Sequence, residues 1–367
     1  MGNIKLLTKS NPNHYFVAQL LKWNNDLNKR QMPWKGEKDP YKIWLSEIIL
    51  QQTRVEQGFD YYNKFILSFP NIKLLAAASD TVIFKLWEGL GYYSRCKNMI
   101  VTAKYIANHL NGIFPSSYYD ILGLKGVGPY TAAAIASFAF NLPYAVVDGN
   151  VFRVLSRFFG ISTPIDSADG KNAFTLLANE LLNKTSPGNY NQAIMDFGAV
   201  ICKPKIPLCS SCLLQNKCVA YKKELVNSLP VKEKRIAKKT RWFYYLVIEY
   251  NGMLYIRKRT AKDIWQNLYE FVLLEKDEVL LTSELLNLKW LKELVGNQKF
   301  SVTSISQVYK QQLTHQTING QFIKMVINQP LVGNVYDALL PDEIDKLPFP
   351  KFITTFLQDK NVSLNLF

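Results

Sequence analysis

Long apolar runs are missing from this chain of 367 residues. None approaches the roughly 20 residues a helix needs to cross a bilayer, so a soluble protein and no membrane partner are expected. No export signal is recognisable, and Leu6 stands where a myristoylation signal beginning Met1-Gly2 requires Ser or Thr. A cytoplasmic location follows as the expectation. Cysteine is scarce: there are five, and four fall between 202 and 218. That clustering excludes a secreted disulfide framework and suggests metal ligation in a reducing compartment. Acidic residues run short as well, 29 against 44 Lys and Arg, leaving a net charge of +15. Such an imbalance asks for an anionic partner, and polyphosphate backbones bind basic surfaces by counterion release. Internal repeats and low-complexity tracts are absent. What remains is a chain 48% hydrophobic and 13% aromatic, long enough for two or three domains, whose rings can fill cores or stack on bases.

Residues 122–151 organise the rest. Gly126 and Gly128 permit backbone conformations and close approaches that a side chain forbids, Pro129 suits a first helical position, and residues 131–140 read as the helix that follows. Free N–H groups and the positive dipole end at its start form a site for an anion such as phosphate; an ordinary helical connection is the alternative. Asp148 tips the balance, because the apolar run Ala145-Val146-Val147 delivers a carboxylate into a Gly-Asn turn. Asn150 can cap a helix running to Phe159.

Upstream, residues 14–29 carry Phe16, Leu20, Trp23 and Leu27 at helical spacing. A loop through Met32-Pro33-Trp34-Lys35 leads into residues 43–57, expected as one helical stretch. Glu47 is crowded there by Ile43, Trp44, Ile48, Ile49 and Leu50, so it either points to solvent or occupies a low-dielectric pocket with a raised pKa. Gln51, Gln52 and Thr53 supply uncharged hydrogen-bonding groups suited to base edges. Further helices are expected over 61–69, 81–90, 99–110, 116–122, 169–182 and 189–201. The run Gly89-Leu90-Gly91-Tyr92-Tyr93-Ser94-Arg95 reads as a turn that exposes rings, and Cys96 as a small buried hydrophobe.

The spacing Cys202-x6-Cys209-x2-Cys212-x5-Cys218 is a four-thiolate metal site. It contains one C-x2-C pair where structural zinc sites usually have two, and it leaves zinc and a [4Fe–4S] cluster both open. Residues 227–241, with Lys232, Lys234, Arg235, Lys238 and Lys239, read as a basic linker. Beyond it, strands are expected over 242–249 and 253–258 around an Asn251-Gly252 hairpin turn, then over 300–307, 311–318 and 322–327, with a helix over 282–295. The division is therefore a helical region 1–226, a linker 227–241 and an α+β domain 242–367.

Five motifs occur in order: Leu45-Ser46-Glu47 through Gln51-Gln52-Thr53-Arg54-Val55, Gly89-Leu90-Gly91-Tyr92-Tyr93, Gly126-Val127-Gly128, Val147-Asp148-Gly149-Asn150-Val151, and the cysteine pattern. On these the chain resembles the MutY family of adenine DNA glycosylases, within the helix-hairpin-helix glycosylase superfamily, over nearly its full length. The resemblance implies a mainly α N-terminal glycosylase fold with its hairpin at about 116–140. It also implies a [4Fe–4S] cluster on Cys202, Cys209, Cys212 and Cys218, and a C-terminal Nudix-like domain that recognises 8-oxoguanine. The implied reaction is monofunctional excision of adenine mispaired with 8-oxoguanine or guanine in double-stranded DNA, by base flipping, with the protein acting as a monomer, nucleoid-associated if bacterial.

Within that resemblance Glu47 would protonate adenine N7 and an ionised Asp148 would stabilise the oxocarbenium-like sugar, supported by Tyr130 and Asn150. Strand-cutting relatives carry a lysine after the hairpin, where this chain has Tyr130. Trp34, Lys35 and Gln192 would line the adenine pocket, with Lys35 standing where many relatives have Arg. Gln52, Thr53, Leu90 and Tyr92 would contact the opposite base or wedge the stack. Lys125, Gly126, Val127 and Gly128 would hold the backbone, Lys125 replacing a common proline. Leu313, Thr314 and His315 stand where many relatives read Phe-Ser-His, and no Nudix catalytic box with clustered glutamates is present. Two rivals are an endonuclease III-type damaged-pyrimidine glycosylase, disfavoured by Tyr130 and the extra domain, and a non-catalytic iron–sulfur DNA-binding protein, which would need neither Glu47 nor Asp148.

Overall fold

A computed structural model describes residues 12–233, 238–296 and 298–359. The Met1-Gly2 and Leu6 positions, and Lys234 and Arg235 of the basic segment, lie outside the described residues. The chain divides into two compact units, one formed by 1–76 and 101–234, the other by 77–100 and 235–367.

Helices succeed one another from the amino terminus: α1 (Pro12–Asp26), α2 (Pro40–Leu50), α3 (Val55–Ser68), α4 (Ile72–Ala77), α5 (Asp80–Leu86), α6 (Tyr93–His109), α7 (Tyr118–Leu122), α8 (Pro129–Phe140), α9 (Gly149–Phe159), α10 (Ala168–Leu181), α11 (Pro187–Val200) and α12 (Val219–Lys222). In the first unit, Phe16, Leu20 and Trp23 of α1 meet Val154, Leu155 and Phe158 of α9, Phe174 of α10, and Ile194 and Phe197 of α11 in one core. Against this, α2 packs on α8, a helix whose residues Thr131 to Ser137 are all buried. The helix expected over 43–57 is broken: Gln51 turns extended (ψ 114°) and Gln52 takes φ +58°, ending α2 at Leu50 before α3 begins at Val55. Apolar periodicity runs through that break, which is why the pattern did not disclose it.

The second unit is built on a mixed sheet of β1 (Lys239–Tyr250), β2 (Met253–Lys258), β3 (Tyr269–Lys276), β4 (Phe300–Ile305), β5 (Tyr309–Gln312), β6 (Gln316–Ile327) and β7 (Asp337–Leu339). Among the described residues the strand order is β4-β6-β1-β3-β2-β7, with β5 pairing β6. The β1–β6 pair is parallel, from Lys239 opposite Gln316 to Glu249 opposite Val326, and the other pairs are antiparallel. Residues Phe243 to Ile248 are buried without alternation, as a central strand covered on both faces requires. Asn251 and Gly252 close the β1–β2 hairpin with φ of +50° and +77°, the left-handed pair such a tight turn needs.

Two expectations in this unit need correction. The strand expected over 311–318 is two strands, because Leu313-Thr314-His315 turn the chain and Leu313 N–H bonds Gln316 O at 2.8 Å. The helix expected over 282–295 is likewise divided into α13 (Thr282–Leu286) and α14 (Lys289–Val295), separated at Asn287-Leu288. Two further helices, α15 (Pro341–Ile344) and α16 (Lys351–Leu357), complete the unit. The segment 77–100 is held to it by Lys85 Nζ on Leu347 O (3.0 Å), Phe349 N–H on Glu88 Oε1 (2.7 Å) and Lys97 Nζ on Gln266 Oε1 (3.0 Å).

Candidate active site

Asp39 caps α2 by accepting the Tyr41 N–H at 2.9 Å, and Pro40 takes the first helical position. That start fixes the phase that turns Glu47 inward. Only 6% exposed, Glu47 faces a cavity of about 420 Å³ in the first unit, shared with Trp34, Lys35, Thr53, Tyr130, Asp148, Asn150 and Gln192. Loss of water on burial raises its pKa from 4.5 to about 7; a hydrogen bond with Tyr130 opposes this, and the Asp148 charge adds to it. Of the two readings left open by the sequence, the low-dielectric pocket is the one adopted.

Asp148, not Asn150, caps α9: Oδ1 accepts the Val151 N–H at 2.7 Å. The carboxylate precedes the helix with extended backbone, whereas Asn150 already lies in the first turn, so the expected capping role moves two residues back. Asn150 instead donates Nδ2 to Asp148 Oδ2 at 2.7 Å and accepts Arg153 Nη2 at 2.8 Å. Burial lifts the Asp148 pKa above its usual 3.8, while the Val151 N–H, the Asn150 donors and the Arg153 charge pull it down. Thus the two acids differ in kind: Glu47 is desolvated with a tyrosine hydroxyl for company, and Asp148 is surrounded by donors. Gly198 of α11 lets the helices approach here, since a Cβ on it would lie 2.6 Å from Asn150 Cβ.

Two residues escaped the sequence reading. Arg153 reaches Cys202 O (2.7 Å), Gly149 O (3.1 Å) and Gly198 O (2.8 Å) besides Asn150. Asp196, fully buried on α11, accepts Arg30 Nη1 at 2.8 Å, Asn28 Nδ2 at 2.9 Å, and Lys35 Nζ and Gln192 Nε2 at 3.0 Å each. A signal existed: Asp196 sits among Ile194, Met195 and Phe197, the same apolar crowding that singled out Glu47.

The remaining predicted residues lie outside that cavity. Gly126 takes φ +79°, which favours glycine, but Gly128 has φ −99°, an extended geometry open to any residue, so the conformational argument holds for the first glycine alone. Val127 is buried, Lys125 exposed, and the Lys125 carbonyl accepts Thr102 Oγ1 at 2.9 Å. Gln52 is exposed on its left-handed backbone. In the second unit Leu90 is buried, while Tyr92 is 45% exposed with φ +49° and its hydroxyl lies 2.5 Å from Thr314 Oγ1. His315 is exposed and Leu313 partly so, both at the tip of the β5–β6 hairpin.

Cys202, Cys209, Cys212 and Cys218 line one small hollow of the first unit with Arg157, Leu208 and Tyr221, and none is in a disulfide. Burial and the neighbouring thiols push Cys212 up to about 12, and Arg157 Nη1 lies 3.4 Å from Cys202 Sγ. Among the described residues no three such side chains converge on the position of a single metal ion. Four sulfur donors around one hollow fit an iron–sulfur group, as they also fit zinc.

Residues 45–177 match the model of the HhH-GPD superfamily base excision DNA repair proteins, and residues 243–359 match that of the NUDIX domain. The helical unit with its acid-lined cavity is thus that of a base excision DNA glycosylase. A thermostable thymine-DNA glycosylase of known structure superposes with a TM-score of 0.54 at 31% identity, over 58% of this chain and 97% of that one. The adenine DNA glycosylase of Buchnera aphidicola subsp. Baizongia pistaciae (strain Bp) is 35% identical over 319 residues, 86% of this chain and 87% of the relative. That of subsp. Schizaphis graminum (strain Sg) is 34% identical over 349 residues, 91% of this chain and 98% of the relative. The chain belongs to the adenine DNA glycosylase family.

Proposed function

We propose that the enzyme excises adenine opposite 8-oxoguanine or guanine from double-stranded DNA, by acid-assisted departure of the base without strand cleavage. The observation that carries this is the pairing of two buried acids in one cavity, Glu47 beside a tyrosine hydroxyl and Asp148 beside the donors Val151 N–H and Asn150 Nδ2. Adenine is a poor leaving group until protonated. Burial raises the Glu47 pKa to about 7, so a substantial fraction stays protonated at neutral pH and can deliver that proton to N7 of a flipped adenine. As the glycosidic bond breaks, the sugar becomes cationic. Asp148, whose carboxylate accepts from Val151 N–H and Asn150 Nδ2 against the pull of burial, faces that cation. Tyr130 bonds Glu47 and presents no amine, so no Schiff base with the sugar is available to it.

The basic segment 227–241 serves as a linker beside phosphate, and the hairpin 124–128 and exposed Gln52 act on the DNA strand. Tyr92 and Thr314, hydrogen-bonded to one another, support a reader of the opposite base in the second unit. Leu90 would have to leave its buried position to act as a wedge. Cys202, Cys209, Cys212 and Cys218 would hold a [4Fe–4S] cluster, which when bound would tie the two ends of residues 202–218 to one another; iron and sulfide in anaerobically purified protein test this, and stoichiometric zinc without iron overturns it.

Base release from duplexes carrying adenine opposite 8-oxoguanine, guanine, cytosine or thymine tests the function. Adenine should leave from the first two. Release of oxidised pyrimidines in its place would support the endonuclease III-type alternative, and no release by iron-loaded protein would contradict both.

A further inference from the structure

Asp196 is fully buried yet touches no part of the reaction that the preceding account assigns. Its two oxygens accept from four side chains, and three of these, Arg30, Lys35 and Gln192, line the cavity that holds Glu47. Lys35 is turned back, donating to Asp196 Oδ2 at 3.0 Å and to Arg30 O at 2.9 Å. Gln192 sits one helical turn before Asp196 on α11 and spends Nε2 on Asp196 Oδ1 at 3.0 Å.

A carboxylate flanked by a guanidinium and an ammonium is an acceptor, so the amide nitrogen of Gln192 must face it. The amide oxygen is thereby left for the cavity. With Glu47 as donor and Gln192 Oε1 as acceptor, the cavity offers the complement of one base edge: adenine presents the N7 acceptor beside the N6 amine donor, whereas guanine presents N7 beside the O6 acceptor. A purine with a 6-oxo group would set two oxygens against each other, and a buried mismatch of that kind is costly.

We infer that Asp196 is a positioning residue for substrate selection: by fixing the Gln192 amide with its oxygen toward the base, it makes the cavity select purines that carry an exocyclic amine at C6. This rests on the adenine-excision reading and adds the residue that enforces it. Asp196 touches neither substrate nor reacting atoms and acts through Gln192. Were the amide free to turn, Nε2 would satisfy a 6-oxo group equally well and selection would relax.

The test is single-turnover release of adenine and of hypoxanthine, which replaces the amine by an oxo group, each opposite 8-oxoguanine, by full-length iron-loaded enzyme. Intrinsic differences between the leaving groups cancel when the adenine-to-hypoxanthine rate ratio of a variant is divided by that of wild type. Asp196→Asn should lower that ratio about tenfold or more, because its own amide can accept or donate. A merely structural role lowers both rates together; a ratio within about twofold of wild type therefore overturns the inference. Should that variant fail to fold, Asp196→Asn combined with Lys35→Met preserves the local charge balance, and the same ratio decides. In a Gln192→Met background, Asp196→Asn should change the ratio no further, and a further fall would show that Asp196 does not act through Gln192. Absence of adenine release by wild type would instead strike at the activity itself.

Discussion

Asn150 donates Nδ2 to Asp148 Oδ2 at 2.7 Å and accepts Arg153 Nη2 at 2.8 Å, so its amide is oriented from both ends. Arg153 in turn bonds the carbonyl of Cys202 at 2.7 Å, which ties the acid that faces the sugar to the first of the four clustered cysteines. Removing this donor should reach the chemistry. Asn150→Ala is expected to slow single-turnover adenine release about tenfold to a hundredfold, the loss of one hydrogen bond to a charged group. With less to oppose burial, the Asp148 pKa rises further, and the acid limb of the pH–rate profile moves to higher pH. Unchanged rate and limb would separate Asn150 from the reaction.

Glu47 governs the other limb. Its protonated form is the active one, so the rate should fall as pH rises through about 7, and Glu47→Gln should lose the limb with most of the activity. Stability runs the same way: a carboxyl whose folded pKa is raised costs stability as pH rises from 4.5 to about 7. Glu47→Gln removes that cost and should stabilise the first unit by up to about 3 kcal/mol at pH 8, with the gain fading below pH 4.5. Thermal melts across that range check the sign; a variant less stable at pH 8 than wild type contradicts the buried-acid account.

Much of this was legible beforehand, for physical reasons that differ by residue. Glu47 and Asp148 stood out because ionisable groups seldom sit inside apolar runs without a partner or a task. Asp196 met the same criterion, but its partners Arg30, Lys35 and Asn28 are some 160 residues away in sequence. Tertiary partners of that kind leave no local pattern. The Asn251-Gly252 hairpin followed from a local rule, its turn dipeptide, and so did the presence of α9, although its cap is Asp148 and not the expected Asn150. The breaks at Gln51-Gln52 and at Leu313-Thr314-His315 did not, because neither carries glycine or proline and each interrupts an otherwise continuous period. Both breaks place residues proposed to meet DNA, where backbone geometry serves contact more than propensity.

The hydroxyls of Tyr92 and Thr314 lie 2.5 Å apart, joining segment 77–100 to the β5–β6 hairpin within one unit. If this pair reads the opposite base, Thr314→Ala and Tyr92→Phe should each lower the preference for 8-oxoguanine over guanine by about threefold to tenfold, the worth of one neutral hydrogen bond. Their effects should not add, since both break the same contact. Thr314→Ser should keep the preference. Full additivity in the double variant would mean that the two act separately.

In the proposed reaction Glu47 protonates the departing base, and Asp148 stabilises the cationic sugar that this leaves behind. The most direct measurement is single-turnover adenine release by Asp148→Asn from a duplex with adenine opposite 8-oxoguanine, alongside its affinity for that duplex. The rate should fall at least a thousandfold, the scale on which loss of a group that stabilises the transition state is felt, with affinity preserved within a few-fold. Release at a rate near that of wild type would contradict this role of Asp148.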